Sequence, residues 1–298
     1  MDTTKDTGLQ SSEATQHKAT EKDRTSVRCV ADAWKMFALQ PRTFLRPLWL
    51  YCLPAALAFA ALTPALLKLI EKQALSQPFT LTDCLWGIIA LALFAAFSLY
   101  RKAAVLRQIS YYKREGTLPK HMVRLKNGAL HKAVLRILSV DLPIYIIGMA
   151  LTFGIGYAAI RISGWLSLCL LVLFFTFPLL TFLCEQRCLV YGRGAWASIR
   201  EAMALDMRSY GSYFVIALLA MIPLGLFVGV ALLPAMTVLF SWYHNLKGML
   251  MGDANGLPPY FSGIIMLCTF IGFYFSILTL SLHTWALALK SVRKAEQA

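Results

Sequence analysis

The sequence predicts an all-α fold: a polytopic membrane helix bundle of six transmembrane helices, with amphipathic lead-in helices on the cytoplasmic side. Three observations predict it. Six apolar runs are each long enough to cross a hydrocarbon core of about 30 Å, which takes roughly 20 helical residues. Charged residues make up 15% of the chain, against about 25% in soluble domains, and mean hydropathy is +0.60. Of the 29 Lys and Arg residues, 25 fall in or beside alternate connections between the runs, as the positive-inside rule requires.

Residues 1–25 are polar and mixed in charge, which predicts a disordered cytoplasmic tail. No apolar core follows a basic start there, so this stretch does not read as a signal peptide. The membrane domain is expected over 26–290. Its first part, Ser26 to Ala61, sets the pattern for the chain. SVRCVADAWKMFALQPRTFLRP is amphipathic, with Val27, Val30, Trp34, Phe37 and Ala38 on one face and Arg28, Asp32 and Lys35 elsewhere. Such a segment lies on a membrane surface and then feeds a spanning helix.

The first span is expected at about 47–70 and carries Pro47, Pro54 and Pro64. The second, 83–106, opens on Asp83, where a carboxylate suits the helix dipole. The third, 134–160, and fourth, 164–184, are separated only by Arg161, Ile162 and Ser163, a tight hairpin. The fifth, 211–240, contains Pro223, Gly225, Gly229 and Pro234 and is expected to be kinked or broken. The sixth, 261–289, leads to a short cytoplasmic tail, 291–298.

Lys and Arg crowd the N-terminal segment, 101–136, 187–208 and 290–294, whereas the other side has only Lys68, Lys72, Arg161 and Lys247. Both termini are therefore expected in the cytoplasm, with the chain in the cell inner membrane. The net charge of +14 then matches anionic lipid headgroups, and no nucleic-acid-binding module is visible. On the far side, SWYHNLKGMLMGDANGLPPY at 241–260 reads as a loop anchored at the interface by Trp242, Tyr243, Tyr260 and Phe261. No stretch outside the membrane is long enough for a folded soluble domain.

An internal repeat is predicted. VADAWKMFALQPRTFL at 30–45 aligns without a gap to IREAMALDMRSYGSYF at 199–214, setting Asp32 against Glu201, Ala33 against Ala202, Trp34 against Met203 and Phe44 against Tyr213. In the later unit Trp196, Ile199, Met203, Met207 and Tyr210 share a face. A third candidate, 121–137, keeps Met122, Leu125, Ala129 and Ala133 together. The lead-in from Ala33-Trp34 through Pro54, and the stretch Ser198 to Met203, resemble the lead-ins of bacterial six-helix inner-membrane families. The membrane domain of glycerophosphoryl diester phosphodiesterases is one of these, and related uncharacterised inner-membrane proteins are others. The resemblance implies an architecture and a lipid-adjacent role. It brings no catalytic residue, because no phosphodiesterase catalytic domain is present.

Asp141 is the foremost intramembrane candidate, since a carboxylate at a bilayer centre costs roughly 2.5–3.5 kcal/mol. It is expected either to face the bundle as a proton or cation site, or to pair with Arg136 or a basic residue of a neighbouring helix. His283 joins it in a relay if the third and sixth spans touch, and otherwise makes a polar helix–helix contact. Glu185 is expected to pair with Arg187 or Arg193. Pro223, Gly225 and Gly229 form a candidate helix-break site, where freed backbone groups bind substrate, or a GxxxG packing step. Trp34 and Trp196 are candidate membrane-surface anchors.

The seven cysteines form no C-x-x-C pair; Cys184 and Cys188 share a helix face without further ligands. His244 and Asp253 are too few for a metal site, so no metal and no cofactor is expected. With no H-E-x-x-H or G-x-S-x-G motif, no enzymatic activity is expected. The functional expectation is an integral membrane component whose basic amphipathic cytoplasmic face engages membrane lipids of anionic charge or a cytoplasmic protein partner. The alternative is a small-solute transporter using breaks in the first and fifth spans.

Overall fold

The computed structural model describes residues 25–116, 127–162, 164–205, 207–252 and 260–296, and no strand occurs among them. The helices are α1 (Thr25–Leu39), α2 (Pro41–Ala74), α3 (Leu81–Glu115), α4 (Asn127–Arg161), α5 (Ser167–Val190), α6 (Ala195–Met203), α7 (Met207–Leu250) and α8 (Phe261–Glu296), with a 3-10 turn at Gly164–Leu166. Five helices are long and apolar enough to cross a membrane, through Leu48–Ala74, Cys84–Glu115, Ala129–Arg161, Ser209–Leu250 and Phe261–Ser291. That is the architecture of a multi-pass membrane protein. Five such spans appear among the described residues where six are predicted. The remaining prediction, 164–184, falls on α5, a helix of 24 residues only part of whose side chains are described. The predicted tail at 1–25 lies outside the described residues but for Thr25, and the predicted tail at 291–298 is helical as far as Glu296.

Pro41 opens α2, a position where its missing N–H costs no helical bond, and Gln40 joins α1 to α2 by bonds on both sides (Gln40 N to Met36 O at 3.1 Å, Phe44 N to Gln40 O at 3.0 Å). Neither α2 nor α7 is broken: α2 is helical through Pro54 and Pro64, and α7 through Pro223 and Pro234 for 44 residues. Spanning helices tolerate such prolines because neighbours and local adjustments re-satisfy the freed carbonyls. The predicted loop from Ser241 to Leu250 is helical too. Trp242 (8% exposed) and Leu246 lie four residues apart and are both buried, so Trp242 is a packing residue and not an interfacial anchor. Tyr243 and Tyr260 are exposed.

α2 packs on α3 and α7 on α8, and α8 also lies along α2. Between α2 and α8, Phe59 and Phe273 stack at 3.8 Å. Gly272 allows α8 to approach α7, since a Cβ there would sit 2.6 Å from the Ala231 carbonyl oxygen. The α4–α5 hairpin is more peripheral and meets the rest chiefly through α3 and α6. At one end of the bundle Phe44 and Tyr112 each pack on fully buried Trp285 at 5.7 Å. There Tyr191 Oη donates to the Ser291 carbonyl at 3.0 Å, and Lys290 lies over the Tyr213 ring. These contacts gather the first turns of α2 and α7 with the last turns of α3, α5 and α8. Arg107, Lys113, Lys132, Arg136, Arg187 and Arg193 belong to this end, and Lys68, Lys72, Arg161 and Lys247 to the other.

The buried face of α1 runs through Cys29 and Ala33, with Val30, Trp34 and Phe37 half-buried beside it and Val27 64% exposed. The predicted face is thus turned by about one residue, because α8 and α7 cover α1 and select its small side chains for the close contact. α6 buries Ser198 and Ala202 and turns Trp196 and Met203 outward. The third repeat candidate, 121–137, lies in part outside the described residues.

Candidate functional site

The apolar run of α3 ends in Tyr100-Arg101-Lys102. Consecutive helical residues point about 100° apart, so the two cations serve different neighbours. Arg101 turns to α8, where its Nη1 donates to Ser281 Oγ at 3.4 Å. Lys102 turns to the α4–α5 hairpin, where its Nζ meets Asp141 Oδ2 at 3.3 Å and Glu185 Oε1 at 2.5 Å. Asp141 is 2% exposed and Arg101 6%, and Glu185 is also buried. Two positive and two negative groups therefore share one desolvated region. Paired charges tolerate such surroundings, whereas a lone buried charge costs several kcal/mol.

The cluster forms one wall of a cavity of about 250 Å³, enclosed by α3, α4, α5, α7 and α8. Arg101, Lys102, Glu185 and His283 supply its charged and titratable lining, and Leu106, Leu179, Phe182 and Leu287 much of its apolar lining. Tyr145, Met221 and Leu280 also line it and are exposed, whereas Leu179, Phe182 and Leu287 are buried. Arg101 Nε, His283 Nδ1 and Asp141 Oδ1 are buried without a hydrogen-bond partner among the described residues. Such groups are few in folded proteins and ask for an explanation.

Asp141 therefore pairs with a basic residue of a neighbouring helix, and that residue is Lys102, not Arg136. Glu185 does not pair with Arg187 or Arg193; both of those meet Glu201, at 3.1 and 3.3 Å. His283 lies in the cavity wall but forms no pair with Asp141, which bonds Lys102 instead. Gly225 and Gly229 face open space, with nothing within 4 Å of a Cβ added at either, so among the described residues no helix packs against them there. Pro223 lines an apolar groove with Trp34, Leu226, Phe227 and Phe275. Trp34 is half-buried, with its ring 6.3 Å from that of Phe37, while Trp196 is 77% exposed.

No group of three metal-ligating side chains occurs among the described residues, where all seven cysteines are free. His244 packs edge-on to Phe240 at 4.5 Å, and Asp253 lies outside the described residues. A larger cavity of about 740 Å³ opens at the other end of the bundle, lined by Ala58, Lys68, Glu71, Trp86, Trp242 and others.

Sequence reasoning singles out Asp141 and His283 but not Arg101, Lys102 and Glu185 as their company. The signal is present, because both cations fall inside the predicted second span, 83–106, where a charge needs a partner. Counting them with the flanking loop conceals it. No protein-family model matches the chain, and comparison with curated proteins and with solved structures finds no match.

Proposed function

We propose that the chain is a non-enzymatic component of the inner membrane whose basic end lies on the cytoplasmic side and engages anionic lipid headgroups. The observation that carries this reading is α6. One side of this short helix is buried through Ser198 and Ala202, and Trp196 and Met203 project outward beside Arg187, Arg193 and Arg200. An apolar ridge flanked by cations suits the boundary between headgroups and acyl chains, and each Lys or Arg near an anionic surface contributes about 1 kcal/mol. In this reading α5 is the fourth of six spans and both termini are cytoplasmic. The pairs α1–α2 and α6–α7 are then two copies of one unit, a short helix feeding a long one, in keeping with the likeness to six-helix inner-membrane families. A cytoplasmic protein partner would use the same end.

The permease reading keeps one supporting observation, the ion cluster beside the cavity. Continuous α2 and α7 remove the helix breaks it called for.

The test compares wild type with the triple variant Trp196→Glu, Arg193→Gln, Arg200→Gln in nanodiscs of zwitterionic lipid with and without phosphatidylglycerol. Phosphatidylglycerol raises the unfolding temperature of wild type, and salt weakens the gain. The triple variant loses most of the gain, about 1 kcal/mol for each cation removed. Equal gains in both proteins, or none in wild type, would refute the reading.

A further inference from the structure

We infer that the cavity beside Arg101 is a binding site for the carboxylate of a single-chain amphiphile, a fatty-acid-like anion that enters chain-last from the exposed rim. This goes beyond surface engagement of headgroups and stands on different residues.

The polar and apolar walls are arranged for it. At the inner side lie Arg101 and Glu185, both buried, with His283 beside them; Tyr145, Met221 and Leu280 at the rim are exposed. The intervening wall is hydrocarbon, from Val105, Leu106, Leu179, Phe182 and Leu287. A ligand that satisfies both zones is charged at one end and apolar along the rest.

The sign of the charge follows from the unfilled hydrogen-bonding capacity. Asp141 does not line the cavity, and Glu185, which does, is already engaged by Lys102. A guanidinium carries five N–H donors, yet among the described residues Arg101 makes one side-chain bond, a long one, and its Nε makes none. His283 Nδ1 is also unpartnered. The hydroxyls of Thr181 and Thr284 donate to carbonyls of their own helices, and neither accepts from Arg101 Nε or His283 Nδ1 among the described residues. An acceptor with two oxygens matches the guanidinium fork. At about 30 Å³ for a water-sized group, 250 Å³ holds roughly eight heavy atoms, a carboxylate and a short chain, and any longer chain continues past the rim.

The experiment uses the full chain in nanodiscs and radiolabelled octanoate, with empty discs subtracted for partitioning. Saturable binding of one octanoate per chain is expected, displaced by unlabelled octanoate but not by octylamine or propionate. Displacement by oleate supplied in the bilayer assigns the membrane as the source; displacement by octanoate alone assigns the aqueous phase. Arg101→Gln weakens binding by roughly tenfold or more, the factor expected for a hydrogen bond to a charged group. Because Arg101 also supports the fold, Ala217→Trp serves as a second variant that fills the cavity and leaves the ion cluster untouched; it abolishes binding while helicity and elution volume match wild type. Absence of a saturable component, octylamine or propionate competing as well as octanoate, or undiminished binding to Ala217→Trp would overturn the inference.

Discussion

Lys102 joins three helices through one ammonium group, since Asp141 and Glu185 come to it from α4 and α5. Removing one partner of a buried pair leaves an uncompensated charge and costs about 3–5 kcal/mol. Lys102→Met is therefore expected to lower unfolding stability by about 3 kcal/mol, read from denaturant midpoints in detergent. Adding Glu185→Gln restores the balance of Arg101 against Asp141 and recovers a substantial part of the loss. A Lys102→Met protein as stable as wild type would show that the pairs contribute nothing. At this scale the sequence is legible for which charges must be satisfied and silent on by whom. Glu185 has Arg187 two residues away and Lys102 83 residues away, yet helix geometry turns Arg187 towards Glu201. Partner choice is set by the packing of α3 against the hairpin, which no local pattern encodes.

Among the elements, α7 separates composition from structure. Its prolines and glycines read as a break, and its last ten residues read as a loop, because Ser241, His244, Asn245 and Lys247 interrupt the apolar run. The burial of Trp242 and Leu246 at helical spacing shows what holds that stretch helical: contact with neighbours, which overrides polarity on the other faces. Apolar length is written in the sequence, so each predicted span overlaps a helix, whereas the helix ends lie up to ten residues away. The glycines give a test. Gly225→Ala and Gly229→Ala meet nothing and should be neutral or stabilise by up to about 1 kcal/mol through helix propensity. Gly272→Ala drives a Cβ into the Ala231 carbonyl and Leu232 and should destabilise by about 1–3 kcal/mol, as overpacking does. Thermal unfolding of the three variants decides, and the reverse order would put the close helix contact at the wrong glycine.

Across the whole molecule, the proposed topology is testable by single cysteines in a cysteine-free background. Gln77→Cys, between α2 and α3, and Trp165→Cys, between α4 and α5, should react with a membrane-impermeant maleimide on intact spheroplasts. Glu115→Cys, at the end of α3, should react only after permeabilisation. A Trp165→Cys that behaves like Glu115→Cys would mean that α5 does not cross. The proposal rests on the distribution of Lys and Arg, since charge resists translocation. The cavity was not readable, because its walls come from five helices. The ion cluster bears finally on biogenesis. Synthesis runs from the N-terminus; the cation on α3 thus leaves the ribosome before either acid. Asp141 and then Glu185 follow a counter-ion already made, so chain order matches the order in which the charges of the hairpin can be neutralised.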